Sequence, residues 1–266
     1  MADPDSNASQ RVKLHQFSAE SLQGKRDVQS WQLSIGTNVF SANTVDLNIQ
    51  SEGQSIVGKV KMSNVSAWPS TPLLPDVMGW FAWLPGMECR HGVISLHSKM
   101  QGGFVVNGET VNMDGGVAYV EKDWGSNFPK TWVWMQASHF TSHGHKSETA
   151  TLMLSLASIP FPSDKFQVIR FRGFLGGLWL PSRGGLFAFA TYTGAVVEKL
   201  VTSKNKSRVE VDLRSALYHL EVTAEGNRAG AVILHGPAPG GEFKPFVHEM
   251  LDAKINVCLI RRSDGQ

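Results

Sequence analysis

The chain of 266 residues has a formal net charge of +2, with 42% apolar and 18% charged residues. Nucleic-acid binding requires a concentrated basic field, so this near-neutral balance argues against nucleic acid as a partner. Cys89 and Cys258 lie far apart in the sequence, which argues against a disulfide framework or a cysteine zinc site and is typical of a reducing compartment. Eight Trp and 14 Phe against three Tyr favour an apolar pocket with aromatic walls.

The N-terminal segment Met1–Gln10 is polar and carries Asp3 and Asp5. It lacks an apolar core, so we expect no secretory signal, and its acidic residues are unusual for a transit peptide. No run of about 18 apolar residues occurs, so we expect no membrane-spanning helix. These features predict a protein that is cytoplasmic or peripheral to an internal membrane, and not secreted.

Alternation of apolar and polar residues predicts antiparallel strands along most of the chain. It is clear at residues 45–50 and again at 209–214. Asn107-Gly108 lies between two strand-like runs and predicts a tight hairpin. The turn-rich segment Pro69–Pro85 is the best candidate for an irregular insertion. About 15 to 18 short strands are expected, which is typical of a barrel or a sandwich.

Two longer apolar stretches, Leu152–Ile159 and Phe171–Leu180, could be helices by composition alone. The second contains three glycines, which a helix tolerates badly and a bulged strand uses, so we predict strands. The basic stretch 199–208 is predicted to be a solvated hairpin tip, with contact to anionic lipid headgroups as the alternative. His143 and His145 have metal-ligand chemistry but no clear third ligand, and we expect a solvated hairpin there too.

The segment Val117–Pro129 has the strongest chemical content. If its first half is a strand, Tyr119, Glu121 and Asp123 share one face, and the two carboxyls lie roughly 7 Å apart. Burial in apolar surroundings raises the pKa of a carboxyl, and proton delivery to a weak base requires a neutral carboxyl. The alternative is a strand end whose charges cap the turn at Trp124-Gly125.

Two further groups of residues could contact a ligand. Trp132, Trp134 and Gln136 project from one face of a predicted strand, where two indole rings beside an amide could hold a ring, bind a hydroxyl and stabilise a cation. Ordinary core packing is the alternative. Upstream, Trp80 and His91 share an aromatic-rich segment, and the histidine could relay a proton, hold a substrate hydroxyl or be purely structural.

Several motifs, spread over most of the chain, resemble those of one protein family. They are Met78-Gly-Trp80, Glu88-Cys-Arg-His-Gly92, Tyr119-Val-Glu-Lys-Asp-Trp-Gly-Ser-Asn-Phe-Pro129, Trp132-Val-Trp-Met-Gln136, Phe171-Arg-Gly-Phe174, Gly177-Leu-Trp179, Phe189-Ala-Thr-Tyr-Thr-Gly194 and Glu249-Met-Leu-Asp-Ala-Lys254. The family they resemble is the tocopherol cyclase family, including its shorter microbial members, and the Glu-Lys-Asp-Trp-Gly run is a specific motif.

The resemblance implies an all-β fold, a lipocalin-like antiparallel double β-barrel. We divide it into an N-terminal barrel at residues 1–127, complete or incomplete, and a C-terminal barrel at residues 128–266. It also implies an enzyme that protonates a trisubstituted alkene of a prenylated quinol, so that a phenolic oxygen closes a chromanol ring. No redox cofactor or metal is implied. The expected partner is a hydrophobic small molecule, with peripheral membrane contact left open and the oligomeric state unspecified.

For such a reaction, Glu121 or Asp123 is the predicted proton donor, and His91 or Gln136 would orient or deprotonate the phenol. Tryptophan side chains would shield the tertiary cation from water. The predicted substrate-binding residues are Trp80, Tyr119, Trp124, Trp132, Trp134, Gln136 and Trp179. One alternative is a non-catalytic lipocalin-like carrier of a quinol or terpenoid, which needs the pocket but no acid. Another is a ring-closing enzyme that only preorganises a polyene.

Overall fold

The computed structural model describes residues 12–26, 31–51, 53–142, 146–160, 170–238 and 242–262. Met1–Gln10 and the pair His143 and His145 lie outside the described residues. In the part that is described, the chain forms strands and short 3-10 helices, and no helix there is long and apolar enough to cross a membrane. The 3-10 helices are Ala19–Ser21, Gly79–Trp83, Pro181–Arg183, Thr191–Thr193 and Arg228–Gly230. The predicted all-β class is confirmed.

The described residues fall into two compact units. The smaller unit comprises residues 15–72 and 91–122, and the larger unit comprises residues 12–14, 73–90 and 123–262, each without the gaps given above. The predicted irregular segment Pro69–Pro85 is confirmed, since it contains turns, bends and one short 3-10 helix but no strand.

Most residues of an eight-stranded sheet lie in the smaller unit. Its strands are β1 (Leu22–Arg26), β2 (Trp31–Ile35), β3 (Asn38–Ser41), β4 (Thr44–Ser51), β5 (Gln54–Ser66), β6 (Cys89–Val106), β7 (Glu109–Asn112) and β8 (Val117–Gly125). Neighbours pair in chain order from β1 to β7, and β8 pairs with β6. The predicted hairpin between β6 and β7 is confirmed: Asn107 and Gly108 have φ values of 52° and 88°, as a two-residue turn of this kind requires.

Ten strands belong to the larger unit. They are β9 (Trp132–Ser142), β10 (Lys146–Pro160), β11 (Arg170–Leu180), β12 (Gly185–Ala188), β13 (Val196–Thr202), β14 (Arg208–Arg214), β15 (Tyr218–Glu225), β16 (Val232–Pro237), β17 (Phe243–Glu249) and β18 (Lys254–Arg261). One four-stranded sheet has the order β12-β11-β10-β9, a second has the order β13-β14-β15-β18, and β16 pairs with β17 alone. The predicted basic hairpin tip is the exposed turn between β13 and β14.

The two four-stranded sheets of the larger unit share one hydrophobic core. Leu152 and Leu154 of β10 and Val211 and Leu213 of β14 are fully buried in this core. Each such side chain stabilises the fold by roughly 1.5–3 kcal/mol relative to its exposed state. The core thus explains why the long apolar stretches are strands, as predicted, because their alternate residues meet an opposing sheet.

The predicted barrels would require each sheet to close on itself, and the pairing among the described strands is open. In the described ranges, pairing runs from one edge strand to another and does not return to its starting strand in any of the four sheets. The lipocalin-like double barrel therefore stays a prediction, together with the division after residue 127. The observed architecture is a set of antiparallel sheets in two units.

Candidate functional site

Strand β8 places a tyrosine and a glutamate on the same face of the smaller unit's sheet. Side chains two residues apart on a strand point the same way, and the Tyr119 hydroxyl donates a hydrogen bond of 2.5 Å to Glu121 Oε2. Both residues are half-buried. This contact fixes the orientation of the Glu121 carboxyl.

A histidine from β6 contacts the same carboxylate oxygen. His91 Nε2 lies 3.3 Å from Glu121 Oε2, and the two side chains are 11% and 24% exposed. A phenol and an imidazole therefore meet at one carboxylate oxygen in a largely dehydrated setting, where electrostatic interactions are stronger than in water. Tyr119, Glu121 and His91 form what we call the acid–base cluster. Each of these three side chains can carry a proton, and the phenol and the imidazole both contact the carboxylate directly.

The face of β6 that carries His91 also carries two further polar residues and the apolar Val93. Alternation along the strand puts Ser95 and His97 on that face, and they are only 1% and 8% exposed. Neither Ser95 nor His97 is among the candidate site residues named from the sequence. The spacing of polar residues at 91, 95 and 97 within a strand of 18 residues was the available signal.

The end of β8 belongs to the larger unit and is exposed. Asp123 and Trp124 are exposed. The nearby Cys89 thiol has its pKa raised to about 12, first because it is buried and then because Asp123 and Glu88 carry negative charge. A thiolate is strongly disfavoured at Cys89, so this cysteine is a poor nucleophile.

The larger unit also contains an ion pair that holds its motif segments together. Arg170 donates from Nη2 to Glu88 Oε1 at 2.7 Å and from Nη1 to Glu88 Oε2 at 3.2 Å. Its Nη1 donates to the carbonyl of Ser158 as well. The Glu88 carbonyl in turn accepts from the backbone N–H groups of Ser126 and Asn127. Glu88 therefore connects the start of β6 to β11 and to the end of β8.

The predicted ligand-binding face of β9 is largely an aromatic and polar packing surface. Trp132 stacks on Phe128 with ring centroids 5.3 Å apart, and Phe246 lies edge-on to both rings. Gln136 donates to the Ser138 hydroxyl at 2.6 Å, instead of to backbone as ordinary core packing would suggest. Trp134 is half-buried. We call Phe128, Trp132 and Phe246 the aromatic cluster.

The two remaining predicted tryptophans lie elsewhere in the larger unit. Trp80 is 47% exposed and stacks on Phe81 with ring centroids 4.1 Å apart. Trp179 is half-buried on β11 and pairs with Thr151 of β10. The structure thus brings together Tyr119, Glu121 and His91, and separately surrounds Trp132 with two phenylalanines.

Comparison with known proteins agrees with the motifs. A family model described as tocopherol cyclase-like matches residues 5–266. Over an alignment of 118 positions the chain is 30% identical to the maize (Zea mays) protein named "Tocopherol cyclase, chloroplastic", and the alignment covers 38% of this chain and 25% of the maize protein. The alignment therefore spans about a quarter of that relative's length. No solved structure matches. The chain belongs to the tocopherol cyclase-like family.

Proposed function

We propose that the protein is a cyclase that converts a prenylated quinol into a chromanol. A proton adds to the trisubstituted alkene of the tail, which leaves a tertiary cation, and the phenolic oxygen attacks that cation and loses its own proton. The new C–H and C–O bonds replace the alkene π-bond and the phenolic O–H bond, so the reaction is an isomerisation. It needs acid–base groups but neither a redox cofactor nor a metal.

The single observation that carries this proposal is the acid–base cluster. Glu121 is the carboxyl that we assign to proton exchange with the substrate, because it is half-buried and held by Tyr119 and His91. Asp123, the other carboxyl predicted from the sequence, is exposed, and water weakens its interactions. His91 is a positioning residue in this scheme, since its Nε2 atom is fully buried.

Substrate binding follows from the aromatic content of the family motifs. We propose that Trp80, Trp132, Trp134 and Trp179 contact the apolar ligand and that Gln136 binds a ligand hydroxyl. Trp124, with 43% of its surface exposed, is proposed as a further ligand contact. Aromatic faces stabilise a nearby cation by about 0.5–2 kcal/mol, which suits the tertiary cation of this reaction. A lipocalin-like double barrel is the fold in which we expect such a ligand to be enclosed.

The proposed substrate is a membrane lipid, so we also propose peripheral contact with an internal membrane. The irregular segment Pro69–Pro85 supports this contact through its exposed apolar residues. Leu73 and Trp83 are 78% and 66% exposed, and Trp80 is close to half exposed. Tryptophan prefers the interface between water and lipid. Binding of the purified protein to neutral lipid vesicles, weakened in a Trp83→Ser variant, would test the contact.

The experiment is incubation of the purified protein with a methylated phytyl-quinol, followed by chromatography and mass detection of chromanol. We expect product with and without EDTA, a loss of about 100-fold in rate for Glu121→Gln, and nearly unchanged activity for Asp123→Asn. Tight quinol binding without any product from the wild-type protein would replace the cyclase with the carrier. An unchanged rate in both variants would remove the assignment of Glu121.

A further inference from the structure

One carboxyl outside the acid–base cluster lies on the apolar face of a hairpin. Strands β16 and β17 pair with each other, and Glu249 at the end of β17 is opposite Val232. Val232 is only 7% exposed, whereas its neighbour Ile233 is 49% exposed. The hairpin therefore has a buried face and a solvent face, and direct pairing places Glu249 on the buried one.

The buried face of the hairpin is directed at the aromatic cluster. A Cβ atom at Gly236 on β16 would lie 2.6 Å from the Phe128 ring and 3.2 Å from Val247. Val247 is two residues before Glu249 on β17, so their side chains share this face. Phe246, from the same strand, also contacts Phe128 and Trp132. The Glu249 carboxyl thus belongs to the face that packs on the cluster's rings.

The setting of Glu249 favours its neutral form. No hydrogen bond or ion pair reaches this carboxyl from any residue in the described ranges. Burial is the cause that raises the pKa of Glu249 above its ordinary value. A half-buried carboxyl without a cation is uncommon in a structural role, because its charged form is poorly solvated there.

We propose that Glu249 is the proton donor to the alkene, a role that rests on the proposed function. The O–H bond of its carboxyl breaks as a C–H bond forms on the alkene, and the tertiary cation develops beside the aromatic rings. The phenolic oxygen then closes the ring. The phenolic proton passes to water as the C–O bond forms. Proton exchange with water returns Glu249 to its neutral form.

The test compares Glu249→Gln with a matched variant on the same hairpin. Glu242 is exposed and pairs with Lys244, so Glu242→Gln makes the same change of charge at an exposed position. Chromanol formation should fall by about 100-fold or more in Glu249→Gln, with quinol binding within about twofold of wild type. Glu242→Gln should retain the wild-type rate. Equal rates for Glu249→Gln and wild type would overturn the proposal.

A partial reaction separates the two carboxyls. A quinol whose ring-closing oxygen is methylated still accepts a proton on its alkene, and in D₂O the cation returns H⁺ and leaves deuterium in the tail. Wild type and Glu121→Gln should both incorporate deuterium, and Glu249→Gln should not. Incorporation by Glu249→Gln at the wild-type rate would assign the acid elsewhere. Absence of both chromanol and deuterium with the wild-type protein would instead reject the proposed function itself.

Discussion

A Cβ atom at Gly125 would lie 2.1 Å from the carbonyl oxygen of Glu88. The backbone of β8 passes this close because the next two N–H groups, of Ser126 and Asn127, donate to that oxygen. Glycine is therefore required here by the approach of two backbones. This junction explains the glycine in the Trp-Gly-Ser-Asn part of the family motif.

Replacing Gly125 by alanine should destabilise the protein by roughly 1–3 kcal/mol, because the carbonyl of Glu88 is backbone and cannot move aside without losing two hydrogen bonds. Urea unfolding followed by far-UV circular dichroism measures the change. Gly24→Ala is the matched control, since nothing lies within 4 Å of a Cβ there. Equal stability of the two variants would show that the approach of Gly125 to the Glu88 carbonyl does not require glycine.

Tyr119→Phe removes only the hydroxyl that holds Glu121. A hydrogen bond to a charged group contributes about 1.5–3 kcal/mol, so we expect chromanol formation to slow by about tenfold or more. Tyr218→Phe is the control, because the Tyr218 ring packs on Phe187 far along the chain in the other unit. A wild-type rate in Tyr119→Phe would show that the hydroxyl does not position the carboxyl during the reaction.

Loss of the Arg170 guanidinium should cost about 1–2 kcal/mol of stability, since both partners of the ion pair are about a quarter exposed and solvent screens part of the attraction. Arg170→Lys should recover less than half of the loss in Arg170→Ala, because lysine cannot bind both carboxylate oxygens of Glu88 at once. Glu242→Ala, at an exposed pair with Lys244, should change stability by less than about 0.5 kcal/mol. Chemical denaturation of the three variants measures the free energy of unfolding of each and so ranks the three losses of stability.

The two cysteines should differ sharply in reactivity. Cys258 is exposed, whereas the pKa of the Cys89 thiol is raised to about 12 from its ordinary 9.0. At pH 8 to 9, iodoacetamide should therefore modify Cys258 first and leave Cys89 unmodified in the folded protein. Peptide mass spectrometry over time records both sites. Modification of Cys89 as fast as Cys258 would mean that Cys89 is neither buried nor surrounded by negative charge.

Glu249 should make stability depend on pH. Its pKa is raised in the folded state, so folding favours the protonated form and the protein loses stability as pH rises from the ordinary carboxyl value of 4.5 through the raised value. Glu249→Gln removes this titration, and its free energy of unfolding should fall less than that of wild type over the same range. Parallel pH curves for the two proteins would show that Glu249 titrates normally.

Structural features that depend on residues close together in the sequence could be predicted. The Asn107-Gly108 turn was predictable because few residues adopt positive φ at both positions, and the shared face of Tyr119 and Glu121 follows from the period of a strand. The glycines of β11 were correctly taken as signs of a strand. A Cβ at Gly176 would meet the Met153 carbonyl at 2.3 Å, so the neighbouring strand requires glycine.

Long-range contacts were not predictable in the same way. Glu88 and Arg170 lie 82 residues apart, and no pattern near either residue specifies the other. Glu249 was noticed only as part of a family motif, because its position opposite the buried Val232 comes from the pairing of β16 with β17. Whether a sheet closes into a barrel depends on the sum of such long-range contacts. The alternation of apolar and polar residues predicts strands but not which edge strands pair with each other.

The division of the chain between the two units has a practical consequence for handling the protein. The backbone enters the smaller unit after residue 14, leaves it after 72, re-enters at 91 and leaves again after 122. No single cleavage can release either unit as one uninterrupted peptide. A truncation near residue 80 would therefore leave both units incomplete, and homologue chimaeras with intact units require four crossovers, after residues 14, 72, 90 and 122.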